Sequence, residues 1–271
     1  MALTNRQLSD YFEETVNVLT PVLLLLAELF VVLGLLLWAD RWLHRRLQGV
    51  MYLLAGDEEI ALWLYAIILF PGVLLHELSH ALSAAIVGVK IGRINILPRK
   101  VGKRIQLGFV PVQETDFLRA SFIGAAPLFC GGLAVIALGY SVFGAPEVVA
   151  ALATQDWVAA LRGLAEAFRA PDAWIWAYLV FAIGNTMLPS RSDIHAWPFL
   201  GFLAVVLVFL VLLLGGGALL LDGLGQFLTV AVRWVVLLGA CTLLIDMPFF
   251  ALIYGAQKVL EHVKGVRLEY R

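Results

Sequence analysis

Residues 71–82 read PGVLLHELSHAL, two histidines and a glutamate set inside one of the most apolar stretches of the chain. Hydrocarbon rejects all three groups, so their presence there demands a reason. The surrounding composition sets the solvent. Of 271 residues, 62% are hydrophobic and only 14% are charged, and the mean hydropathy is +0.91. Soluble domains are roughly half apolar and a quarter charged. This is the composition of an integral membrane protein, and it carries no footprint for nucleic acid. Cys130 and Cys241 stand alone in apolar stretches and read as core packing, since isolated cysteines support neither a disulfide framework nor a metal knuckle.

Working outward from that stretch, a helix needs about 20 apolar residues to cross a hydrocarbon core of roughly 30 Å. Six runs meet or approach that length: 19–39, 60–87, 117–143, 173–188, 197–219 and 228–253. The expected fold is an all-α polytopic membrane protein of about six transmembrane helices. Three segments follow: 1–59 with the first span and an outer loop, 60–198 as a core, and 199–271 with two further spans and a tail. The polar, acidic start MALTNRQLSDYFEETVNVLT lacks the basic segment of a cleaved signal peptide, so the first span is expected to persist. Between 144 and 172, DWVAALRGLAEAFRA has helical apolar spacing and reads as a helix lying along the surface.

Lysine and arginine accumulate on the cytoplasmic side of a membrane. With six spans both termini share a side. Placing them inside gives 13 basic residues there: Arg6, seven between Gly88 and Arg119, Arg191, Lys258, Lys264, Arg267 and Arg271. The outer loops then hold five, namely Arg41, Arg45, Arg46, Arg162 and Arg169. The bias favours a multi-pass protein of the cytoplasmic membrane with both termini cytoplasmic.

On a helix, His76 and His80 lie four residues apart on one face, where both imidazoles reach a single tetrahedral Zn2+. Glu77 sits beside them, suited to take a proton from water that the metal has acidified. Chance would supply an HExxH in a chain of this composition on the order of 0.004 times. A third ligand has to come from elsewhere. The stretch GNTMLPSRSDIHAWP, residues 184–198, gathers Asn185, Pro189, Asp193 and His195 at the end of the fourth span. Pro189 stops or unwinds a helix and lets Asp193 turn back towards the metal. His76 lies about 20 Å along the second helix from Trp63, at the inner depth from which Asp193 also arrives. Two histidines plus one carboxylate is a recurrent hydrolytic zinc set, and His195 is the alternative ligand.

These residues resemble the site-2 protease family of intramembrane zinc metalloproteases. That family joins an HExxH span to a later span with Asn-x-x-Pro followed by Leu-Asp-Gly, its Asp being the third ligand. HELSH matches the first motif. Asn185 and Asp193 keep the family's eight-residue separation, while Pro189 is one position late and SDI replaces Leu-Asp-Gly. GAAPLFCGG, residues 124–132, resembles the small-residue stretch of the family's intervening span, so the likeness runs from about Ala61 to Pro198. It implies a zinc metalloendopeptidase with Glu77 catalytic, His76, His80 and Asp193 on the metal, and Asn185 holding substrate backbone or oxyanion. The implied partner is a transmembrane protein substrate, cut in the course of regulated intramembrane proteolysis. Without the PDZ or CBS domains of some relatives, substrate selection is expected to rest on the membrane core.

Directly after the zinc helix, VKIGRINILP and KRIQLGFVPVQ alternate apolar and polar residues around a basic connection. This is the pattern of a half-buried β-hairpin, which by the resemblance would pair with an extended substrate. A solvated loop meeting anionic lipid heads explains the same residues. Glu28, Arg233 and Asp246 are further intramembrane charges, read as pairing or facing headgroups, and Asp246-Met247-Pro248 is expected to bend its helix. Ser79, Ala120, Ser121, Gly124 and Ala125 are small enough to let the second and third spans approach closely. Two other functions fit parts of the pattern: a non-catalytic zinc-binding membrane protein that escorts clients, and a prenyl-protein protease, whose later Glu-rich motif is missing here.

Overall fold

The computed structural model describes residues 5–101, 104–154, 156–190, 192–195, 197–215 and 225–270. Among them run helices α1 (Asn5–Ala55), α2 (Glu58–Ile86), α3 (Phe117–Ser141), α4 (Ala145–Ala153), α5 (Trp157–Ala167), α6 (Ala173–Gly184), α7 (Trp197–Leu213) and α8 (Gly225–Lys264). Four helices are long and apolar enough to cross a membrane: the Leu23–Ala55 part of α1, then α2, α3 and α8. This is the make-up of an all-α membrane protein. Two shorter apolar helices, α6 and α7, have 12 and 17 residues, about 18 and 26 Å of rise. The far end of the expected fifth span, residues 216–219, lies outside the described residues.

Helix boundaries differ from the sequence reading in several places, and at three of them the physical reason is plain. The expected outer loop after residue 39 is helical, because α1 continues to Ala55. Leu43, Leu47, Val50 and Met51 fall on one helical face there and bury against Tyr65, Leu69 and Val73 of α2, Phe181 of α6 and Ile253 of α8. Arg41, Arg45 and Arg46 are therefore helix residues, not loop residues. At the other end of the chain, α8 runs on past Ile253 to Lys264, with Gln257 and Glu261 buried. The fourth apolar helix stops at Gly184, with Asn185 as its C-cap, four residues short of Leu188. Pro189 follows at a distance that forbids another turn.

Between α2 and α3 the chain folds back on itself in an antiparallel pairing. Strands β1 (Arg99–Val101) and β2 (Arg104–Gln106) match Arg99 with Gln106 and Val101 with Arg104, and single bridges join Asn95 to Phe109 and Ile91 to Val112. The connection at 102–103 lies outside the described residues. Among the described residues of 144–172 are two helices, α4 and α5, and Trp157, Val158 and Leu161 of α5 are exposed.

Helix α6 is the hub of the core. Its residues are apolar on every side; Ala173, Ala177, Val180 and Ala182 are wholly buried, while Trp174 and Ile175 near its start are exposed. Phe181 belongs to the cluster shared with α1, α2 and α8. Val180 and Ile183 join Val135 of α3 and Ile245 of α8 in a second cluster. The C-terminal end of α6 is thereby fixed between α2, α3 and α8, and the segment that follows it carries Asp193.

Candidate metal centre

His76, Glu77 and His80 occupy the half of α2 beyond Pro71. The two imidazoles are four residues apart, so their rings meet edge to face with centroids 4.8 Å apart and Nε2 atoms 3.2 Å apart. Asp193 approaches from the segment after α6, Oδ1 at 3.3 Å from His80 Nε2 and Oδ2 at 3.8 Å from His76 Nε2. A local turn holds the carboxylate: Ser190 N–H donates to Oδ2 at 2.6 Å, and Asp193 N–H donates to the Ser190 carbonyl at 3.1 Å. Gly124 of α3 makes this approach possible. A Cβ at that position would collide with the Asp193 carbonyl oxygen, so a residue without a side chain lets the segment lie against the helix.

The outer nitrogens decide what the inner ones can do. His76 Nδ1 lies 2.8 Å from the Thr186 carbonyl and His80 Nδ1 lies 3.0 Å from the Ile123 carbonyl. A carbonyl only accepts, so each Nδ1 carries the proton, and each ring in its neutral form turns a bare Nε2 lone pair inward. Two such lone pairs and a carboxylate then converge in one buried space. A cation fits among them: a proton satisfies one pair, whereas a metal ion satisfies all three. Ligand bonds of about 2.05 Å in a tetrahedron place neighbouring donors about 3.3 Å apart, and the observed separations of 3.2, 3.3 and 3.8 Å bracket that value. Backbone carbonyls on the outer nitrogens are also the usual partners of metal-binding histidines. Among the described residues, His76, His80 and Asp193 are the group of three such side chains able to hold a metal ion.

Glu77 is buried beside this group without belonging to it. Its carboxyl packs against the main chain of Gly108, where a Cβ would fall 2.6 Å from Oε1. The extended segment between β2 and α3 thus closes over the glutamate.

The remaining sequence candidates fall elsewhere. His195 is exposed, its Nδ1 2.6 Å from the Ser192 carbonyl, outside the donor group. Asn185 is buried, and its amide donates to the Phe181 carbonyl at 2.9 Å and to Asp246 Oδ1 at 3.0 Å. Both amide hydrogens are used inside the fold. Asp246 is wholly buried, while Glu28 and Arg233 are exposed on their helices. Sequence reasoning passed over Asp40, His44 and Tyr65, which form a polar group behind Asn185. The signal was present in Asp40-x-x-x-His44, an i,i+4 pair on an apolar helix.

No family model matches the chain, and neither the curated proteins nor the solved structures give a match. Fold and site together define an all-α membrane protein with a buried group of two histidines and one carboxylate that can hold a metal ion.

Proposed function

We propose that this protein is an intramembrane zinc metalloprotease, hydrolysing peptide bonds within or near the transmembrane segments of other membrane proteins. The observation that carries the reading is the convergence of His76 Nε2, His80 Nε2 and Asp193 beside the glutamate of an HExxH helix. Two imidazoles and a carboxylate are the donor set of hydrolytic zinc sites. When bound, zinc supplies Lewis-acid chemistry, acidifying water and polarising a carbonyl. The rest belongs to the chain. Glu77 takes a proton from the attacking water and returns it to the departing amine as the C–N bond breaks. Its burial against Gly108 keeps bulk water from competing for that proton.

A peptide bond inside a helix is shielded by its own hydrogen bonds, so a substrate has to be extended before attack. The antiparallel segment leading from β2 past Gly108 offers main-chain groups for such a strand to pair with, next to Glu77. The reading includes six crossings, counting α6 and α7, with both termini on the cytoplasmic side of the cell membrane. The substrate class is a single transmembrane helix, such as an anchored regulator already trimmed by another protease.

The test is cleavage of a panel of single-span model substrates by the purified, zinc-loaded protein in lipid. Wild type cuts at least one, and Glu77→Gln abolishes cutting while zinc content stays at one per chain. A wild-type protein that binds zinc yet leaves every substrate whole would point instead to a zinc-binding escort.

A further inference from the structure

The end of α6 poses a problem that the metal centre alone does not solve. The last carbonyls of a helix have no partner within it, and at membrane depth no bulk water is there to replace one. Two of the carbonyls just beyond α6 are capped by histidines from other helices. Thr186 O receives His76 Nδ1 at 2.8 Å, and the adjacent Asn185 O receives His44 Nε2 of α1 at 3.1 Å. His44 is itself fixed. Its Nε2 also faces Asp40 Oδ1 at 3.0 Å, and its Nδ1 accepts the Tyr65 hydroxyl of α2 at 2.6 Å. Both neighbours of Nε2 are acceptors, so Nε2 carries the proton and Nδ1 the lone pair. On the side-chain end of the same residue, Asn185 donates to Asp246 of α8 at 3.0 Å. The residue next to the His76 acceptor is therefore gripped from α1 by its carbonyl and from α8 by its amide.

We infer that Asp246 and His44 are positioning residues for the metal centre, holding Asn185 so that the Thr186 carbonyl fixes the ring of His76. This deepens the reading of the site as a metal centre and rests on it. It gives the two long helices outside the HExxH core a task beyond packing, and it accounts for an intramembrane aspartate that no cation among the described residues explains. The clamp acts through one covalent step. Asn185 and Thr186 are consecutive, so losing either grip lets the short segment between α6 and Pro189 shift and the His76 Nδ1 contact lengthen. A carbonyl that wanders no longer selects the Nδ1–H tautomer, and an Nε2 that gains the proton is no ligand.

Cobalt is the probe, because its visible d–d bands report ligand geometry at a zinc-type site. Asp246→Ala is expected to weaken Co2+ binding 10- to 100-fold, the usual range for a lost supporting contact, and to shift the d–d bands. Asp246→Asn, whose side-chain oxygen still accepts from Asn185, restores affinity to within about threefold of wild type. Gln257→Ala, a buried change on the same helix away from the site, controls for destabilisation and leaves the spectrum unchanged. A second measurement needs no metal. The 15N shifts of His76 in chelator-treated protein give one Nδ1–H tautomer for wild type and a mixture for Asp246→Ala. Wild-type affinity and spectrum in Asp246→Ala would overturn the clamp, as would a single retained tautomer. Failure of wild type itself to bind cobalt strikes the metal reading, and the clamp is then judged on the tautomer alone.

Discussion

Two of the polar clusters between the described helices of this protein are built on opposite principles. At the far end of α1 and α8, Arg46 Nη1 donates to Gln257 Oε1 at 2.7 Å, and Gln257 Nε2 donates to Glu261 Oε1 at 2.5 Å. Glu261 also receives Lys258 Nζ at 2.9 Å and Leu268 N–H at 3.2 Å. The Arg46 guanidinium lies over the rings of Trp42, Tyr254 and Tyr270 at 5.0–5.6 Å. In each of these hydrogen bonds a donor meets an acceptor and the carboxylate meets a cation, although the buried Tyr270 hydroxyl beside them has no hydrogen-bond partner among the described residues. At the HExxH helix, by contrast, three acceptors face one another and the ring donors point outward to carbonyls. A self-satisfied cluster is a fastening. A surplus of acceptors is a place for something else, and only the second kind calls for a ligand.

The sharpest way to break that contrast is to remove acceptors from the second cluster. His80→Ala or Asp193→Ala leaves two donors, and metal affinity is expected to fall by more than about 100-fold, beyond the range of supporting contacts. Equilibrium titration with a competing chelator measures it. Loss in His195→Ala with retention in Asp193→Ala would reverse the ligand assignment.

Next in size is a change that moves an acceptor without deleting it. Gly124→Ala places a methyl group against the Asp193 carbonyl, and backbone cannot swing aside as a side-chain tip does. Overpacking of this kind costs about 1–3 kcal/mol, and here it is expected to weaken metal binding as well. Gly132→Ala on the same helix meets only Leu238 Cδ2, at 3.3 Å, and is expected to leave both melting temperature and metal affinity near wild type. Equal effects at the two positions would mean that α3 does not set the carboxylate.

The matching change in the fastening is Arg46→Ala. It strips Gln257 of its donor and the rings of Trp42 and Tyr270 of their cation, Tyr254 keeping Lys258, a loss of about 1–3 kcal/mol in stability. Metal affinity is expected to stay at the wild-type value. A parallel fall in metal binding would show the two clusters to be one coupled unit.

What the sequence disclosed follows the same division. The HELSH pair and Asp193 were legible because metal chemistry restricts residue type and spacing, and a four-residue step on a helix is local information. The apolar runs gave the presence of the long helices. Their ends were harder to read: three arginines at 41, 45 and 46 look like a loop, yet the helix continues because Leu43, Leu47, Val50 and Met51 bury against distant helices and Arg46 lies over the rings of Tyr254 and Tyr270. Asn185 is a further case: its place in the motif says nothing of Asp246, the partner of its amide, which stands 61 residues away on another helix. Local pattern fixes what a side chain can do, and long-range packing decides with whom it does it.

The smallest effect tests whether the rule for fastenings holds at the surface. Asp116, the N-cap of α3, is an acceptor fully met by its own fold: Oδ1 takes the N–H groups of Arg119 at 3.0 Å and Leu118 at 3.1 Å, and Oδ2 faces Arg119 Nε at 3.3 Å. The Arg119 N–H holds its carboxyl below the usual range, with the Arg119 charge and the Leu118 N–H adding to the effect. A lowered folded value means stability that is present above the unfolded pKa of about 3.9 and lost as pH falls through the folded one. Asp116→Asn keeps a side-chain oxygen for the cap but does not titrate. Wild type is therefore expected to melt slightly above Asp116→Asn at pH 6, with the gap closing towards pH 3, while carboxylates common to both cancel in the comparison. A gap that stays constant over that interval would mean that the charge of Asp116 adds nothing to its cap.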